Sequence, residues 1–223
     1  MKALIIGSSG AIGGALLDCL QADKRYQTVL GIHRSSTPAV DFNEEQSIAL
    51  AALSLLPVGP FDLIICATGV LQNARCKPEK RLTQLSYEQM NEVFRINTFG
   101  PAMLIQSFSR LLAPAAKMAI LSAKVGSIGD NRLGGWYSYR ASKAALNMIV
   151  KTAAIEIGRS NPQAILMALH PGTVQSPLSE PFKGIEIGLQ ASVAASNLLN
   201  VIHTKNPQDT GGFFSYQNEA LPW

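Results

Sequence analysis

The 223-residue sequence is short of charged residues, cysteine and long apolar runs. Only 15% of its residues are charged and 47% are hydrophobic, which excludes an intrinsically disordered chain and predicts a well-covered interior. Its three cysteines, Cys19, Cys66 and Cys76, lack the spacing of metal ligands, and their number is odd. We therefore expect reduced thiols, a cytoplasmic location and no metal site.

No apolar window approaches the length of a membrane span, so we expect no membrane-embedded segment. The first 20 residues begin like a signal peptide, but four glycines and Asp18 interrupt the apolar run. They are interpreted as a strand, a turn and a helix of the folded protein. The net charge of +4 does not predict a nucleic-acid partner, because the basic residues are scattered. Their one small group, at 75–81, is interpreted as a solvated loop.

Short apolar runs alternate with longer segments of helical character along the chain. Five runs predict strands buried on both faces, at 2–6, 28–32, 63–67, 118–122 and 164–169. A further short strand is expected at 39–40, and helices at about 11–22, 44–56, 84–112, 138–159 and 187–202. This βαβα alternation predicts an α/β fold, with a Rossmann-type, doubly wound parallel sheet and helices on both faces. We expect a single domain over residues 1–223.

A glycine-rich turn follows the first predicted strand and opens the first helix, where residues 7–13 read GSSGAIG. Glycine allows a tight turn there and lets backbone N–H groups approach a pyrophosphate at the amino end of the helix. We therefore expect a dinucleotide at this turn, contacted by Gly7, Ser9, Gly10 and Ile12. A purely structural glycine turn is the alternative.

The segment after the second strand bears on which dinucleotide is bound. Residues 31–36 read GIHRSS and hold no carboxylate, whereas a site that prefers NAD usually has an acidic residue here for the ribose 2′-hydroxyl. Arg34 offers a planar fork of donors to a 2′-phosphate, and Ser35 adds a hydroxyl. NADP(H) is therefore favoured over NAD(H). Asp41 is expected at the adenine edge, with an ordinary turn aspartate as the alternative.

Tyr139 and Lys143 stand four residues apart in the helix predicted over 138–159, so their side chains share one face. A lysine ammonium there can lower the phenol's pKa, which is ~10 when unperturbed, and make it a usable proton donor or acceptor. The spacing alone is weak evidence, and a tyrosine that serves only as a half-buried wedge is the alternative. The evidence becomes stronger because the Tyr139 and Lys143 pair follows the other motifs in the expected order along the chain.

With these landmarks the chain resembles the short-chain dehydrogenase/reductase family over essentially its whole length. The motifs that carry the resemblance are the glycine turn, Asp41-Phe42, INTFGP at 96–101, Tyr139 with Lys143, and PGTV at 171–174. Within the family it is most similar to the branch of C-factor-like cell–cell signalling proteins and sniffer-type carbonyl reductases. That similarity rests on segments 126–147, 170–182 and 221–223.

The resemblance implies roles in a catalytic tetrad. In the family's mechanism a nicotinamide gives hydride to a carbonyl carbon while the tyrosine, here Tyr139, gives a proton to the carbonyl oxygen. Lys143 is expected to lower the tyrosine's pKa and, as in relatives, to bond the nicotinamide ribose. Asn97 is expected to hold a water that connects Lys143 to solvent, and a surface asparagine is the alternative.

The catalytic serine is matched less directly. In the family it commonly ends a Ser-Ser pair after the fifth strand, and that position is Ala123 here. Ser122 precedes it and Ser127 lies four residues beyond it, so we expect Ser122 to serve and keep Ser127 as the alternative. Either hydroxyl would hydrogen-bond the carbonyl oxygen and stabilise its developing charge.

Two further departures concern the cofactor segments. The glycines are spaced G-x-x-G-x-x-G, as in the family's epimerase-like branch, whose members carry a longer carboxyl-terminal substrate domain. Residues 66–69 read CATG where the family usually has NNAG, so Ala67 and Gly69 are expected to contact the cofactor mainly through backbone. In relatives the last motif turn places backbone against the nicotinamide carboxamide. The resemblance carries that contact to Pro171, Gly172, Thr173 and Val174.

The segment at about 176–188 is rich in proline, serine and glycine and is predicted to be a small substrate lid. Leu178, Phe182 and Trp136 are expected to line an apolar pocket beneath it. The leading hypothesis is an NADP(H)-dependent oxidoreductase that reduces a small aldehyde or ketone, or oxidises the alcohol. The alternatives are a C-factor-like nucleotide-binding regulatory protein and an epimerase with tightly held cofactor. Relatives pair the helices near 84–112 and 138–159, which implies a homodimer or homotetramer.

Overall fold

The computed structural model describes residues 1–182 and 184–223, and parallel strands organise them. The strands are β1 (Lys2–Ile6), β2 (Thr28–Ile32), β3 (Phe61–Cys66), β4 (Leu112–Leu121), β5 (Ile165–His170) and β6 (Phe213–Ser215). The α-helices are α1 (Ala11–Ala22), α2 (Glu45–Ser54), α3 (Tyr87–Phe94), α4 (Gly100–Phe108), α5 (Tyr137–Ser160), α6 (Gly184–Ile187) and α7 (Ala191–Thr204).

The strand order within the described residues is β2-β1-β3-β4-β5-β6, and every pair is parallel. Ala3 at the start of β1 pairs with Val29 on one side and with Leu63 on the other. The chain therefore winds outward in both directions from the boundary between β1 and β3. Ligands of such sheets bind at this switch in strand order, beyond the carboxyl ends of the strands. The predicted α/β, Rossmann-type fold class is confirmed.

Apolar clusters cover both faces of the sheet, which is why its strands read as nearly continuous apolar runs. Leu4 and Ile6 of β1 face the cluster formed with α2, α4 and α5. Ala3 and Ile5 face the opposite cluster, formed with α1 and α7. No helix in the described part of the chain is long and apolar enough to cross a membrane.

Two of the predicted elements differ from the structure. Residues 39–40 form no strand, because a turn brings Val40 back to donate its N–H to the His33 carbonyl at 3.1 Å. The helix predicted over 84–112 is divided. The hydroxyl of Ser86 caps α3 at Tyr87, a π-helical turn spans Arg95–Phe99, and β4 begins at Leu112.

The division follows from the Gly100-Pro101 pair, since proline has no backbone N–H for a continuous helix. The wider turn lets the Gly100 N–H reach the Arg95 carbonyl, five residues back. Asn97 lies inside this turn and is fully buried. The irregularity thus lies at one of the motif residues named above, and π-turns are frequent at functional sites.

The edge strand β6 was not predicted from the sequence. It has three residues, and the segment after it folds back so that Leu221 donates its N–H to the Phe213 carbonyl at 2.8 Å. The Trp223 ring then stacks on Phe213, with ring centroids 5.6 Å apart.

Candidate active site

The glycine turn forms a cradle at the carboxyl end of β1. Gly7 has a φ of +90°, which favours glycine, and its N–H donates to the Ile32 carbonyl at 2.8 Å. A Cβ on Gly13 would lie 2.1 Å from the Gly7 carbonyl oxygen, so the turn and α1 pack too closely for a side chain. Gly10 provides no side-chain cap for α1, which leaves first-turn N–H groups for an anion. This cradle fits a pyrophosphate.

A cavity of about 320 Å³ lies beside this turn. The predicted cofactor residues that line it are Gly7, Ser9, Gly10, Arg34, Asp41, Ala67 and Gly69. Its lining also includes Phe42, which packs so closely on Gly100 that a Cβ there would lie 2.3 Å from the ring. Ser35 is exposed, and its N–H donates to His33 Nδ1 at 3.1 Å.

Asp41, which the sequence predicts to contact adenine, lines this cavity and also organises its own turn. Its Oδ1 accepts from the Asn43 N–H at 2.9 Å and from the Asn43 amide at 2.7 Å. Asn43 also lines the cavity and was not foreseen. The sequence feature that could have indicated Asn43 is its position two residues after an aspartate in a turn.

A second cavity, of about 150 Å³, continues from the first toward the predicted lid and shares Gly10 and the 67–69 segment with it. Among its lining residues are Ile12, Ser122, Lys143, Pro171 and Leu178. The structure therefore brings the glycine turn, one predicted serine, the predicted lysine and the first residue of the 171–174 turn to one groove. We refer to this space as the catalytic cavity, after the roles predicted for Ser122 and Lys143.

Burial controls the charge state of both Tyr139 and Lys143. Lys143 is 3% exposed, its Nζ donates to the Leu121 carbonyl at 3.0 Å, and burial lowers its pKa to about 8. Burial raises the pKa of Tyr139 to about 12. The expected lowering of the phenol's pKa by Lys143 is therefore not seen, because burial dominates at Tyr139. The lysine ammonium is directed to a carbonyl.

Asn97 joins α5 to the loop after β3. Its Oδ1 accepts from the Val70 N–H and its Nδ2 donates to the Val70 carbonyl, both at 2.8 Å. Nδ2 also lies 3.2 Å from Ser142 Oγ on α5. A Cβ on Gly69 would lie 3.5 Å from both Asn97 Oδ1 and Lys143 Nζ, so Asn97 and Lys143 flank the same glycine.

The two candidate serines have different partners. Ser122 Oγ donates to Asn147 Oδ1 at 2.6 Å and lines the catalytic cavity with Lys143. Ser127 Oγ donates to the Trp223 carbonyl at 3.3 Å and accepts from the Asp130 N–H at 3.2 Å.

Asn147 was not foreseen, although it stands four residues after Lys143 and so lies on the same helix face. Its Nδ2 is buried without a hydrogen-bond partner among the described residues. The side chain that holds Ser122 therefore keeps unused hydrogen-bonding capacity.

The start of α5 is fixed by Glu79, which sequence reasoning placed in a solvated loop. Glu79 is 2% exposed, and its carboxylate accepts from the Ser138 N–H at 3.1 Å, from the Ser138 hydroxyl, and from Gln89 Nε2 at 2.7 Å. Burial on its own would raise the pKa of Glu79, but these hydrogen bonds outweigh it and the pKa is lowered. The Trp136 N–H donates to the Glu79 carbonyl at 2.5 Å.

Tyr139 lies at one end of a row of three aromatic side chains. The ring centroids of Trp136 and Tyr139 lie 6.1 Å apart, and those of Trp136 and Phe182 lie 5.1 Å apart, both edge to face. Trp136 reaches this place from a left-handed backbone, with a φ of 52°. Phe182 belongs to the predicted lid; Lys183, also in that segment, lies outside the described residues.

The 171–174 turn contacts Tyr216, which follows β6, and bonds to Ser179 and Leu189, in and just after the predicted lid. Gly172 has a φ of +78°, and a Cβ there would lie 2.8 Å from the Tyr216 ring. The Thr173 carbonyl accepts from the Leu189 N–H at 2.9 Å, and the Val174 carbonyl accepts from the Ser179 hydroxyl. The Thr173 side chain is exposed and that of Val174 is buried. The backbone contact with the nicotinamide carboxamide that the resemblance implies for this turn stays a prediction.

Comparison with known proteins identifies the family. The family model described as Enoyl-(Acyl carrier protein) reductase matches residues 21–214. The chain is 32% identical over 187 residues to the 1-hydroxy-2-glutathionyl-2-methyl-3-butene dehydrogenase of Rhodococcus sp. (strain AD45), covering 83% of this chain and 79% of that protein. It is 33% identical over 168 residues to the C-signal of Myxococcus xanthus, covering 74% of this chain and 94% of that protein.

Among solved structures, the NADPH-bound carbonyl reductase from chicken fatty liver has a TM-score of 0.85 and 22% identity, and covers 100% of this chain and 98% of that one. At this identity the match shows a shared fold. The family match and the two sequence relatives extend beyond the fold and confirm the resemblance seen in the motifs. The chain belongs to the short-chain dehydrogenase/reductase family and is an oxidoreductase of that family.

Proposed function

We propose that the protein is an NADP(H)-dependent carbonyl reductase that interconverts a small aldehyde or ketone and its alcohol. The observation that carries the proposal is the continuity of the two cavities, which joins the glycine turn and Arg34 to Ser122 and Lys143. Two similar proteins, the Rhodococcus dehydrogenase of a hydroxy compound and the chicken carbonyl reductase, support the same chemistry.

The residues that would hold NADP(H) follow from the lining of the first cavity. Its pyrophosphate is assigned to the uncapped N–H groups at the start of α1, and its 2′-phosphate to the Arg34 guanidinium. Asp41 is assigned to the adenine edge and the 171–174 turn to the carboxamide. NADPH, when bound, supplies the hydride. The chicken reductase was solved with NADPH, which supports the choice of dinucleotide.

In the proposed mechanism Tyr139 donates a proton to the carbonyl oxygen. A pKa of about 12 keeps the phenol protonated before the reaction, so the proton is present when negative charge develops on the oxygen. Lys143, with a pKa of about 8, is mostly protonated at neutral pH and would stabilise the phenolate left behind. We assign reprotonation to a water held at Asn97.

Ser122 is assigned to the carbonyl oxygen, as a donor that stabilises the developing charge. Its present acceptor is Asn147 Oδ1, so donation to a substrate requires the hydroxyl to rotate. The Asn147 side chain can follow such a change, because its Nδ2 has no partner within the described residues. Ser127 stays the alternative.

The substrate side is assigned to Trp136, Phe182 and Leu178, with residues 176–188 as the lid. This lining suits a compound with an apolar part. Exposed apolar residues on α5, Met148 at 66% and Ile155 at 55%, support a homodimer or homotetramer. The free thiols suit a cytoplasmic protein.

The deciding experiment measures NADPH consumption with a panel of aldehydes, ketones and quinones. Tyr139→Phe is expected to abolish turnover while NADPH still binds. Tyr137→Phe, at the neighbouring exposed tyrosine that lacks a lysine four residues on, is the matched control and should keep activity.

Two other results would overturn the proposal. Tight NADPH binding with no turnover by the wild type would favour a regulatory role, which the C-signal relative makes the leading alternative. Purified protein that retains nucleotide through gel filtration and does not consume added NADPH would favour the epimerase hypothesis.

A further inference from the structure

A third cavity, of about 420 Å³, opens between the segment 69–77 and the start of the lid. It is lined by Gly69, Val70, Gln72, Asn73, Lys77, Pro177 and Leu178. Gly69 and Leu178 also line the catalytic cavity, so the two spaces adjoin. Gly69 itself is flanked by Lys143 and Asn97. The third cavity shares Gly69, Val70 and Asn73 with the first cavity as well, so it adjoins both spaces and offers room for the remainder of a substrate whose carbonyl group is at the catalytic residues.

Lys77 is the only formally charged residue among the described residues that line this cavity. Its side chain is exposed and makes no ion pair within the described part of the chain. The nearby acids are engaged elsewhere. The Glu79 carboxylate accepts from Ser138 and Gln89, and Glu92 pairs with Arg95 and, at 3.8 Å, with Arg75. The cavity mouth thus carries an uncompensated positive charge.

The backbone around Lys77 is held in place although the residue is on a loop. The Lys77 N–H donates to Gln89 Oε1 at 2.9 Å, and the other end of that amide donates to Glu79. Asn73 Oδ1 accepts from the backbone N–H groups of Arg75 at 2.7 Å and Cys76 at 3.0 Å. The loop is fixed to α3, so the backbone of Lys77 has a defined position. Only its side chain has to become ordered when the ammonium binds an anion.

We propose that Lys77 is a specificity-determining residue and that the preferred substrates are carbonyl compounds with a carboxylate remote from the reacting carbon. The ammonium gives the carboxylate a charge-assisted hydrogen bond, and the amide of Gln72 is a second donor in the same cavity. This inference rests on the proposed reductase function and adds the class of substrate.

The test compares para-carboxybenzaldehyde with its methyl ester as substrates, in the wild type, Lys77→Gln, Lys77→Arg and Lys80→Gln. Lys80 is an exposed lysine three residues on and serves as the matched control. The wild type should prefer the acid, and Lys77→Gln should lower kcat/KM for the acid about tenfold through KM, with the ester and the KM for NADPH unchanged. Lys77→Arg should keep most of the preference, and Lys80→Gln all of it.

Equal use of acid and ester by the wild type, or an equal loss for both in Lys77→Gln, would overturn the inference. A wild type that turns over no carbonyl compound would instead overturn the reductase function. In that case calorimetric binding of monomethyl terephthalate to the NADPH-loaded protein decides on Lys77. Weaker binding in Lys77→Gln, but not in Lys80→Gln, supports the anion site, and equal binding in all three proteins refutes it.

Discussion

The carboxylate of Glu79 accepts hydrogen bonds from both the backbone N–H and the hydroxyl of Ser138, at the first turn of α5. The two residues are 59 positions apart in the chain. Trp136, the residue before α5, provides no side-chain cap, so a carboxylate from a distant part of the chain takes the role of an N-cap side chain. A negative charge there also complements the helix dipole. The loop at 75–81 therefore sets where the helix that carries Tyr139 and Lys143 begins.

Replacing this carboxylate should destabilise the fold. Glu79→Gln is expected to lower the free energy of unfolding by about 1–3 kcal/mol near neutral pH, because it disturbs a buried, fully bonded acceptor. The pKa of Glu79 is lowered by folding, so its contribution is present above the ordinary value of 4.5 and is lost as the pH falls through the folded pKa. Urea unfolding of both proteins at neutral and acidic pH measures the effect.

Glu88→Gln, at an exposed acid in the first turn of α3, is the control and should change stability by less than about 0.5 kcal/mol. If the Glu79→Gln protein has the same free energy of unfolding as the wild type at neutral pH, the Glu79 cap does not contribute to stability.

Local patterns in the sequence predict most of the sheet and the glycine turn. The glycine turn, α1 and β1 are one continuous segment, so short-range spacing determines them. The role of Glu79 could not be seen in this way, since its partners on α3 and α5 meet it only through tertiary packing. The same holds for the pairing of Ser122 with Asn147, which joins a loop after β4 to a helix face.

Two elements show where local signals fail. The strand β6 has three residues and depends on its parallel partner β5, so no periodicity of its own marks it. The segment 84–112 has a helical pattern throughout, and the π-turn at Arg95–Phe99 does not interrupt that pattern. Only the Gly100-Pro101 pair indicates that the helix is divided, and its effect depends on what packs against it.

Lys143 should destabilise the protein at neutral pH. Burial lowers its pKa from 10.5 to about 8, so the unfolded state binds more protons between these values and stability rises with pH across that window. Lys143→Met is therefore expected to be more stable than the wild type near pH 7 by about 2 kcal/mol, after the loss of the bond to the Leu121 carbonyl. The advantage should fade as the pH approaches 10.5.

Denaturant unfolding from neutral pH to about pH 10 measures this difference. Lys24→Met, at an exposed lysine, should show no comparable trend. A Lys143→Met protein that is less stable than the wild type near pH 7 would contradict the expectation.

Arg34 should decide between the two dinucleotides. Without its guanidinium a 2′-phosphate loses its principal cation, whereas a 2′-hydroxyl loses little. Arg34→Ala is expected to raise the KM for NADPH at least about tenfold and to leave the KM for NADH within about twofold. Arg159→Ala, at an exposed arginine near the far end of α5, is the control. A parallel change in both KM values would assign Arg34 to some other contact.

The serine variants should separate the two candidates. Ser122→Ala is expected to lower kcat by about 10²-fold with little effect on KM, because the donor acts on charge that develops during the reaction. Ser127→Ala, which removes a bond to the Trp223 carbonyl, should act mainly on stability. Ala123→Ser restores the serine pair usual in the family, and it should compensate in part for Ser122→Ala. If Ser127→Ala lowers kcat more than Ser122→Ala does, the assignment must be reversed.

Two glycine-to-alanine changes in helices separate the steric role of Gly13 in the cofactor cradle from the general effect of alanine on helix stability. At Gly13 a Cβ would lie 2.1 Å from the Gly7 carbonyl oxygen, so Gly13→Ala must displace backbone of the turn and should weaken NADPH binding as well as stability. At Gly158, near the end of α5, a Cβ would meet no described atom within 4 Å beyond the adjacent residues and the backbone of its own helix. Gly158→Ala should therefore raise the free energy of unfolding by about 0.5–1 kcal/mol and leave NADPH affinity unchanged. Fluorescence titration with NADPH and urea unfolding of both variants measure this contrast. Equal NADPH affinity in the two variants would show that the Gly7–Gly13 contact does not shape the cofactor site.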